Sequence, residues 1–502
     1  MQSKFFFLAL LVAIILAPRA GAQNITFDQA DRLNPFFPFN MTKADLNKDG
    51  YPDLMFSLPS SRNIYTLMSN KSGNYVDWTI PTSYCPSTPI GVGDFQRDGS
   101  QNILVGYSSL LTGPCGRTAS QGATFAEYSN NGSAIFNKYT TLQGESVAAV
   151  VADFNGDGKL DIVAYNGNIG LYYGSGYGHF SPMYKIAAIA ANVNVPTIGF
   201  PLVAGDFDGN GCPDVAWLEQ TGGNPTPLKT ALKVAYGNCK GNFAVVTQFT
   251  GSVLMNSLHG SDLNRDSVSD LVATFANFDA PGAGIQIFYG HKNRTFTRKA
   301  ITDNEASDPL EIVDLNGDGY PEIAYFDYVN GVSVPPTSTT LVIRNGDATQ
   351  AFAAETFYLF GQNSVNQMLA GDFNRDGKQD LAVLYSGPTI PSTDKAFSFL
   401  FNTTLYPNGA CIVPAGPGIN ICSPGATSTS VVEVLAAGNA DNPAVYMELW
   451  VDGKRVAGYG STNELRTTLT LTSGRHNLGF VAIDAAGIKV TNSKVVTVQS
   501  HP

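Results

Sequence analysis

Seven short stretches of this sequence place oxygen-bearing side chains at positions 1, 3, 5 and 9 of a tight loop. The clearest reads Asp153-Phe-Asn155-Gly-Asp157-Gly158-Lys-Leu-Asp161, with apolar runs on both sides. Oxygens at that spacing are the makings of a cage for a hard cation. Calcium takes six to eight oxygens at about 2.3–2.6 Å and tolerates irregular geometry. A glycine at position 6 permits positive φ, so the chain can wrap back around an ion.

The candidate metal ligands are Asp45, Asn47, Asp49 and Asp53 in the first loop, and Asp94 and Asp98 in the second. The third has Asp153, Asn155, Asp157 and Asp161; the fourth has Asp206, Asp208, Asn210 and Asp214. Asp262, Asn264, Asp266 and Asp270 follow, then Asp314, Asn316, Asp318 and Glu322, and last Asp372, Asn374, Asp376 and Asp380. The loops are unequal. The second has Gln96 and Asn102 at positions 3 and 9 and carries less charge. The fifth has Ser267 where glycine belongs, which predicts backbone strain. Five to seven Ca2+ sites are expected. The competing reading of any single loop is a turn in which Asp and Asn cap their own backbone.

An EF-hand also begins D-x-N-x-D-G, but it needs an acid at position 12 and helices on both sides. Position 12 here is Phe56, Val105, Ala164, Trp217, Ala273, Tyr325 or Val383. Each is apolar and sits in a strand-like run, so the ninth-position acid is left to close the cage.

The loops begin at Asp45, Asp94, Asp153, Asp206, Asp262, Asp314 and Asp372, and are 49 to 59 residues apart. A period of that size marks a repeat architecture. In each unit one strand enters the loop and a second leaves it. A third often ends Tyr-Gly, and a fourth begins near an aromatic (Tyr75, Phe180, Phe243, Phe296). Four short strands per unit make a β-propeller blade. The seventh unit lacks a fourth strand, and Asn24-Ile-Thr-Phe27-Asp-Gln resembles the fourth-strand pattern. It is expected to close the ring, removing exposed sheet edges. The predicted fold is all-β: a seven-bladed propeller over 23–405, a Pro/Gly-rich linker over 406–423, and a small immunoglobulin-like β-sandwich over 424–502. In the last, strands are expected at Ser430–Leu435, Val445–Val451, Leu465–Leu471, Asn477–Ile483 and Ser493–Val498, with a tight turn at Asp452-Gly453.

Composition fits this reading. The 502 residues are 43% hydrophobic and 14% charged, with 51 Gly and 22 Tyr. The net charge of −11 argues against a nucleic-acid partner. Twenty of the 41 acidic residues sit in the loops. Lys4, the apolar run Phe5–Ala17 and Ala20-Gly21-Ala22 read as a secretory signal over 1–22. That run is too short to span a bilayer, and no later stretch is apolar for long enough, so no membrane span is expected. Six Cys in an exported chain read as disulfides. Of the fifteen pairings the simplest joins neighbours: Cys85–Cys115, Cys212–Cys239 and Cys411–Cys422.

On these motifs, residues 24–405 resemble the FG-GAP/VCBS repeats shared by integrin α-chains and many secreted bacterial proteins. The resemblance implies calcium in the hairpin loops of one face and ligands on the opposite face. The C-terminal segment, with Gly474-Arg-His476 and Asp484-Ala-Ala-Gly487, resembles the Ig-like modules of secreted bacterial proteins.

Function is sought in the insertions. Ser108–Gly122, Glu219–Leu228, Asp327–Thr340 and Ser386–Lys395 read as long loops between second and third strands, and Ala188–Phe200 as a long link between blades. All fall on the face away from the acidic loops, where recognition is expected. Neutral drift is the plainer account of them. The favoured function is a secreted, non-catalytic binding or adhesion module for an extracellular glycan or protein. The alternative is an enzyme, since some related propellers act as polysaccharide lyases or sugar dehydratases. No catalytic residue is assigned. His179 and His291 lie in turns beside the acidic loops, His259 on a strand, and His476 and His501 near the C-terminus. Exposed aromatics on a shallow face would favour glycan binding.

Overall fold

The computed structural model describes residues 25–498, apart from longer gaps at 35–39, 58–62, 71–74, 83–87, 107–123, 190–200, 277–282, 330–337, 387–394 and 405–410 and scattered shorter ones. The signal segment, Cys85, Cys115 and the expected loops around 108–122, 190–200 and 387–394 lie outside the described residues.

Seven antiparallel sheets follow one another along residues 27–402, each with four strands in simple up-and-down order. The first blade is Asn40–Ala44, Asp53–Ser57, Asn63–Ser69 and Tyr75–Pro81. In the fifth blade the leading strand is split into Leu254–Met255 and His259–Ser261. The last blade is completed by the chain's own beginning. Phe27–Asn34 pairs antiparallel with Lys395–Asn402, Phe27 opposite Asn402. The expected closure is therefore present, with a longer closing strand than the sequence suggested. The leading strands of successive blades touch one another in a closed cycle, the seventh (Ser364–Gly371) returning to the first (Asn40–Ala44).

Second strands are buried on both faces, which explains their unbroken apolar runs. All five residues of Asp53–Ser57 and of Asn102–Gly106 are buried. Each apolar core lies between two blades. Leu46, Met55 and Ile64 of the first pack with Ile103, Val105 and Tyr128 of the second. Phe154 and Val163 of the third meet Val215 and Trp217 of the fourth. Phe373 and Phe399 of the seventh meet Met41 and Phe56 of the first. Removal of any one blade would expose two such cores.

Two insertions differ from expectation. Glu219–Leu228 was expected as a long loop, but it is the tip of an extended hairpin. Asp214–Gly223 pairs with Thr226–Gly237 up to Gly223 opposite Thr226. Gln220 Nε2 and Thr230 Oγ1 bond the Met255 and Val253 carbonyls at 2.6 Å, which props the hairpin against the link to the next blade. Asp327–Thr340 is likewise partly strand, with Glu322–Val329 paired to Ser338–Arg344.

The C-terminal part is a two-sheet sandwich. One sheet holds Gly418–Ser423, Val431–Asn439 and Glu464–Thr470. The other holds Thr427–Ser428, Lys489–Val498, Gly474–Asp484, Ala444–Val451 and Lys454–Gly460. Ile419, Val434 and Leu465 from one sheet pack on Leu449, Leu478, Phe480 and Val496 from the other. The expected linker 406–423 is corrected at its end: Gly418–Ser423 is an edge strand, because Ile419 and Ile421 have a core to enter. The strand Lys454–Gly460 was not foreseen. Asp452 and Gly453 both take positive φ (50° and 81°), as a two-residue hairpin turn demands.

The second blade carries a buried acid on its third strand, Thr124–Asn130. Glu127 is fully buried; its Oε1 accepts from Asn102 Nδ2 at 3.0 Å, while Oε2 has no partner. Burial pushes its pKa up to about 8. The folded state thus holds a proton that the unfolded chain releases near pH 4.5, so stability falls as pH rises from about 4.5 to about 8. Glu127→Gln should remove that loss. Urea melts at pH 5 and pH 9 should show the wild type losing more stability between the two pH values than the variant.

Candidate metal centres

The side chains of the acidic loops bond their own backbone. The first-position carboxylate takes the position-6 N–H on Oδ2 in all seven loops, at 2.7–3.0 Å. In the first five its Oδ1 takes the position-5 N–H at 3.0–3.1 Å. Side-chain oxygens at positions 3 and 5 accept in turn from positions 5 and 7, as Asn155 does from Asp157 (2.9 Å) and Asp157 from Lys159 (3.0 Å). These are Asx turns, the plainer alternative weighed for each loop. An oxygen that accepts a single N–H, such as Asp153 Oδ2, keeps a second lone pair, so this bonding leaves room for a cation.

Position 6 has positive φ throughout, including Ser267 at 66°. Position 4 does as well in the six loops where it is described, with Lys48, Arg97 and Arg265 at 57–60°. The sequence reading missed this second left-handed position. Its signal was visible, since Gly156, Gly209 and Gly317 occupy it in three other loops.

The ninth-position acid has a different task. Asp53, Asp161, Asp214, Asp270, Glu322 and Asp380 are fully buried. One oxygen accepts the position-2 N–H: Leu46, Phe154, Phe207, Leu263, Leu315 and Phe373 donate at 2.6–3.0 Å. In five loops the other accepts a backbone N–H at or just past the end of the third strand. Ser69, Gly174, Gly237, Gly290 and Asn402 donate at 2.6–2.8 Å. Glu322, one methylene longer, instead reaches Asn316 Nδ2 at 2.9 Å. In the second loop Asn102 accepts the matching N–H, from Asn130, at 3.3 Å. The third-strand Tyr-Gly endings follow from this. A Cβ at Gly174, Gly237 or Gly290 would lie 2.0–2.4 Å from the carbonyl oxygen of Leu160, Pro213 or Ser269.

Burial dominates the titration of these acids, and neighbouring carboxylates add to it. The pKa of Asp53 and Asp161 is pushed up to about 6, and that of Asp214 and Asp270 to about 7. A cation beside them would reverse the effect. The donor set therefore fits a hard ion. In the fourth loop Asp206, Asp208 and Asp214 bring one carboxylate oxygen each within 4.8 Å of one another. Two further fastenings meet there. Cys212–Cys239 ties the loop to the turn after the third strand, and Arg294 of the next blade pairs with Asp208 at 2.8 Å. Cys411–Cys422 also forms as expected. Asp318 and Asp376 lie outside the described residues; Asp94 and Asp98 keep only their self-capping bonds among those described.

Residues 153–217 match the family model for an FG-GAP-like repeat, so this β-propeller carries that repeat. A search of curated proteins finds no match. Among solved structures, the chain resembles an Agrocybe aegerita lectin described as recognising non-reducing terminal N-acetylglucosamine. That likeness is at 16% identity and TM-score 0.45, over 75% of this chain and 86% of the lectin. It also resembles the polysaccharide lyase Uly1, at 9% identity and TM-score 0.43 over 77% and 94%. A third is the exotype rhamnogalacturonan lyase YesX, at 11% and 0.41 over 77% and 75%. Among the described residues no helix is long and apolar enough to cross a membrane.

Ser267 offers a direct test of the loop geometry. A non-glycine residue in the left-handed region costs roughly 1–2 kcal/mol. Ser267→Gly should raise stability by about 1 kcal/mol in equilibrium melts, whereas Gly158→Ala, at φ 77° in the third loop, should lower it.

Proposed function

We propose that this is a secreted, calcium-stabilised β-propeller that acts as a non-catalytic extracellular binding module. Its glycan or protein ligand is taken on the face away from the acidic loops. One observation carries the reading: the acidic loops are spent on holding the ring together. Their ninth acids are buried under backbone bonds, and their other acids cap their own turns. The opposite face is where the blades depart from the common plan, above all at the hairpin of the fourth blade, which runs on to Gly223 and Thr226. Long elements on a rigid scaffold are the usual place for recognition.

Calcium then acts as a staple. In the fourth loop three carboxylate oxygens lie within 4.8 Å of one another, and an ion there would offset their mutual repulsion; the shared sequence pattern extends the reading to the other complete loops. Binding to the folded state alone stabilises it by linkage, by about 2.7 kcal/mol per site at a hundredfold excess over Kd. Millimolar extracellular calcium makes weak sites sufficient.

EDTA should lower the melting temperature and Ca2+ should restore it; an unchanged melting curve sinks the staple. Asp157→Ala should reduce the calcium-dependent part of that shift and leave ligand binding in place.

A glycan and protein array, run with and without Ca2+, should return ligands whose binding falls at least tenfold when residues 220–229 are replaced by a two-residue turn. Full binding by that variant, with loss of binding by a folded Asp157→Ala protein, would put the ligand on the acidic face and refute the assignment.

A further inference from the structure

The outer face of the larger sandwich sheet carries an open cavity of about 400 Å3 with Trp450 as one wall. Trp450 lies on Ala444–Val451. Met447 and Leu449 of that strand point into the core, so Tyr446, Glu448 and Trp450 share the outer face. The residue opposite Trp450 on the next strand is Gly479, and opposite Gly479 is Ser493. With no side chain at Gly479, the flank of the indole toward Ser493 and Thr491 is left uncovered. On its other side the ring is held. Nε1 donates to Glu448 Oε2 at 3.0 Å, and Glu448 pairs with Arg455 at 3.4 Å. The single indole donor is thereby used, and the ring itself lines the cavity. Thr491 and Ser493 are exposed along the far wall. Asn492 is fixed by donating to the Ile419 carbonyl at 2.7 Å across the sandwich.

We propose that this cavity binds a neutral sugar residue of an extracellular glycan. The C–H face of a pyranose matches a flat, oriented indole, and its hydroxyls match the Thr491 and Ser493 side chains, each of which can donate and accept. None of the residues lining the cavity is charged, and Glu448, which holds the indole, is paired with Arg455, so the lining suits an uncharged ligand. Arg455 also lies over the Tyr446 ring, 5.6 Å from its centre, which leaves Trp450 as the open platform. This site is separate from the propeller face proposed above. It gives the protein a second point of attachment, on its C-terminal sheet.

The chain's three tryptophans make the test simple. Trp217 is fully buried and Trp78 is 46% exposed, so Trp78→Phe leaves Trp450 as the solvent-reachable indole. The full-length Trp78→Phe protein should show a saturable change in fluorescence with at least one of cellohexaose, chitohexaose, xylohexaose or mannohexaose. Gly479→Val should weaken that response at least tenfold. A Cβ at Gly479 would meet Trp450 Cβ at an ordinary 3.5 Å, so the variant should fold with its added methyls beside the ring. Trp450→Ala should abolish retention on the matching insoluble polysaccharide. No response to any of the four sugars, or full affinity in folded Gly479→Val, overturns the proposal. So does a response that survives Gly479→Val but is lost when the fourth-blade hairpin is shortened, since that would assign the sugar to the propeller.

Discussion

The ring depends on one buried joint, repeated from blade to blade. The ninth-position carboxylate accepts the N–H of the position-2 residue, which fixes that peptide inside the molecule. The carbonyl of the same residue then faces the next blade and accepts from it. Asn130 Nδ2 bonds Leu46 O at 2.6 Å, Gly178 N bonds Phe95 O at 3.0 Å, and Gly241 N bonds Phe154 O at 3.2 Å. Asn402 Nδ2 bonds Leu315 O at 2.7 Å, and the Tyr75 hydroxyl donates to Phe373 O at 3.3 Å. The last of these carries the chain of joints from the seventh blade to the first. A buried carboxylate left without donors would cost several kcal/mol. Each acid is therefore stable only when the loop, the third strand and the adjoining blade are all in place.

The apolar packing follows the same path. The position-2 side chain is Leu or Phe in every loop, and all seven are buried. Phe95 packs on Phe180, Phe154 on Phe243 and Phe207 on Phe296, with ring centres 5.3–6.4 Å apart. In each pair the second ring opens the fourth-strand region of the following blade. One residue thus donates its N–H to the buried acid of its own blade and supports the next blade with its carbonyl and its ring. Blades cannot form their cores singly, because the cores lie between them. That accounts for closure by the chain's own first strand: an open ring would leave two half-cores and two sheet edges exposed.

Much of this was legible in the sequence, and the limits were physical. The period, the four strands per unit and the closing strand at Phe27 could all be read because each leaves a repeated mark. The aromatics at Tyr75, Phe180, Phe243 and Phe296 were visible as a pattern, but their partners were not, since the pairing runs between units. Position 9 reads as a cation ligand from its acid spacing, which says nothing of burial; only three dimensions show that in five loops both of its oxygens also accept backbone N–H groups. The extended hairpin at Glu219–Leu228 was read as loop because Gly222, Gly223 and Pro225 outweigh the threonines that pair across it. The strand Gly418–Ser423 was hidden between Pro and Gly, and was revealed by a core for Ile419 to enter. Trp450 carried no motif at all: its significance comes from the glycine opposite it, a cross-strand relation set by register.

The blades also differ in how the joint is reinforced, and the differences follow a single rule. Where the ninth acid is missing, as at Asn102, the second blade supplies a buried acid from the facing strand, Glu127, and the amide bridges the two. Where the acid is longer, as at Glu322, the extra reach is taken up by Asn316 within the loop. Where three carboxylates converge most closely, at Asp206, Asp208 and Asp214, the fourth blade adds Arg294 from its neighbour and a disulfide. Closing a loop of that length, 27 residues from Cys212 to Cys239, is worth about 3–4 kcal/mol in the chain-entropy model. The proposed cation would suit every complete loop at once, because it would need only the oxygens already held in place by the turn. The same economy is the reason for proposing that recognition lies elsewhere: a side chain whose bonds hold two blades together cannot be varied to suit a ligand, whereas a hairpin tip or an indole beside a glycine can.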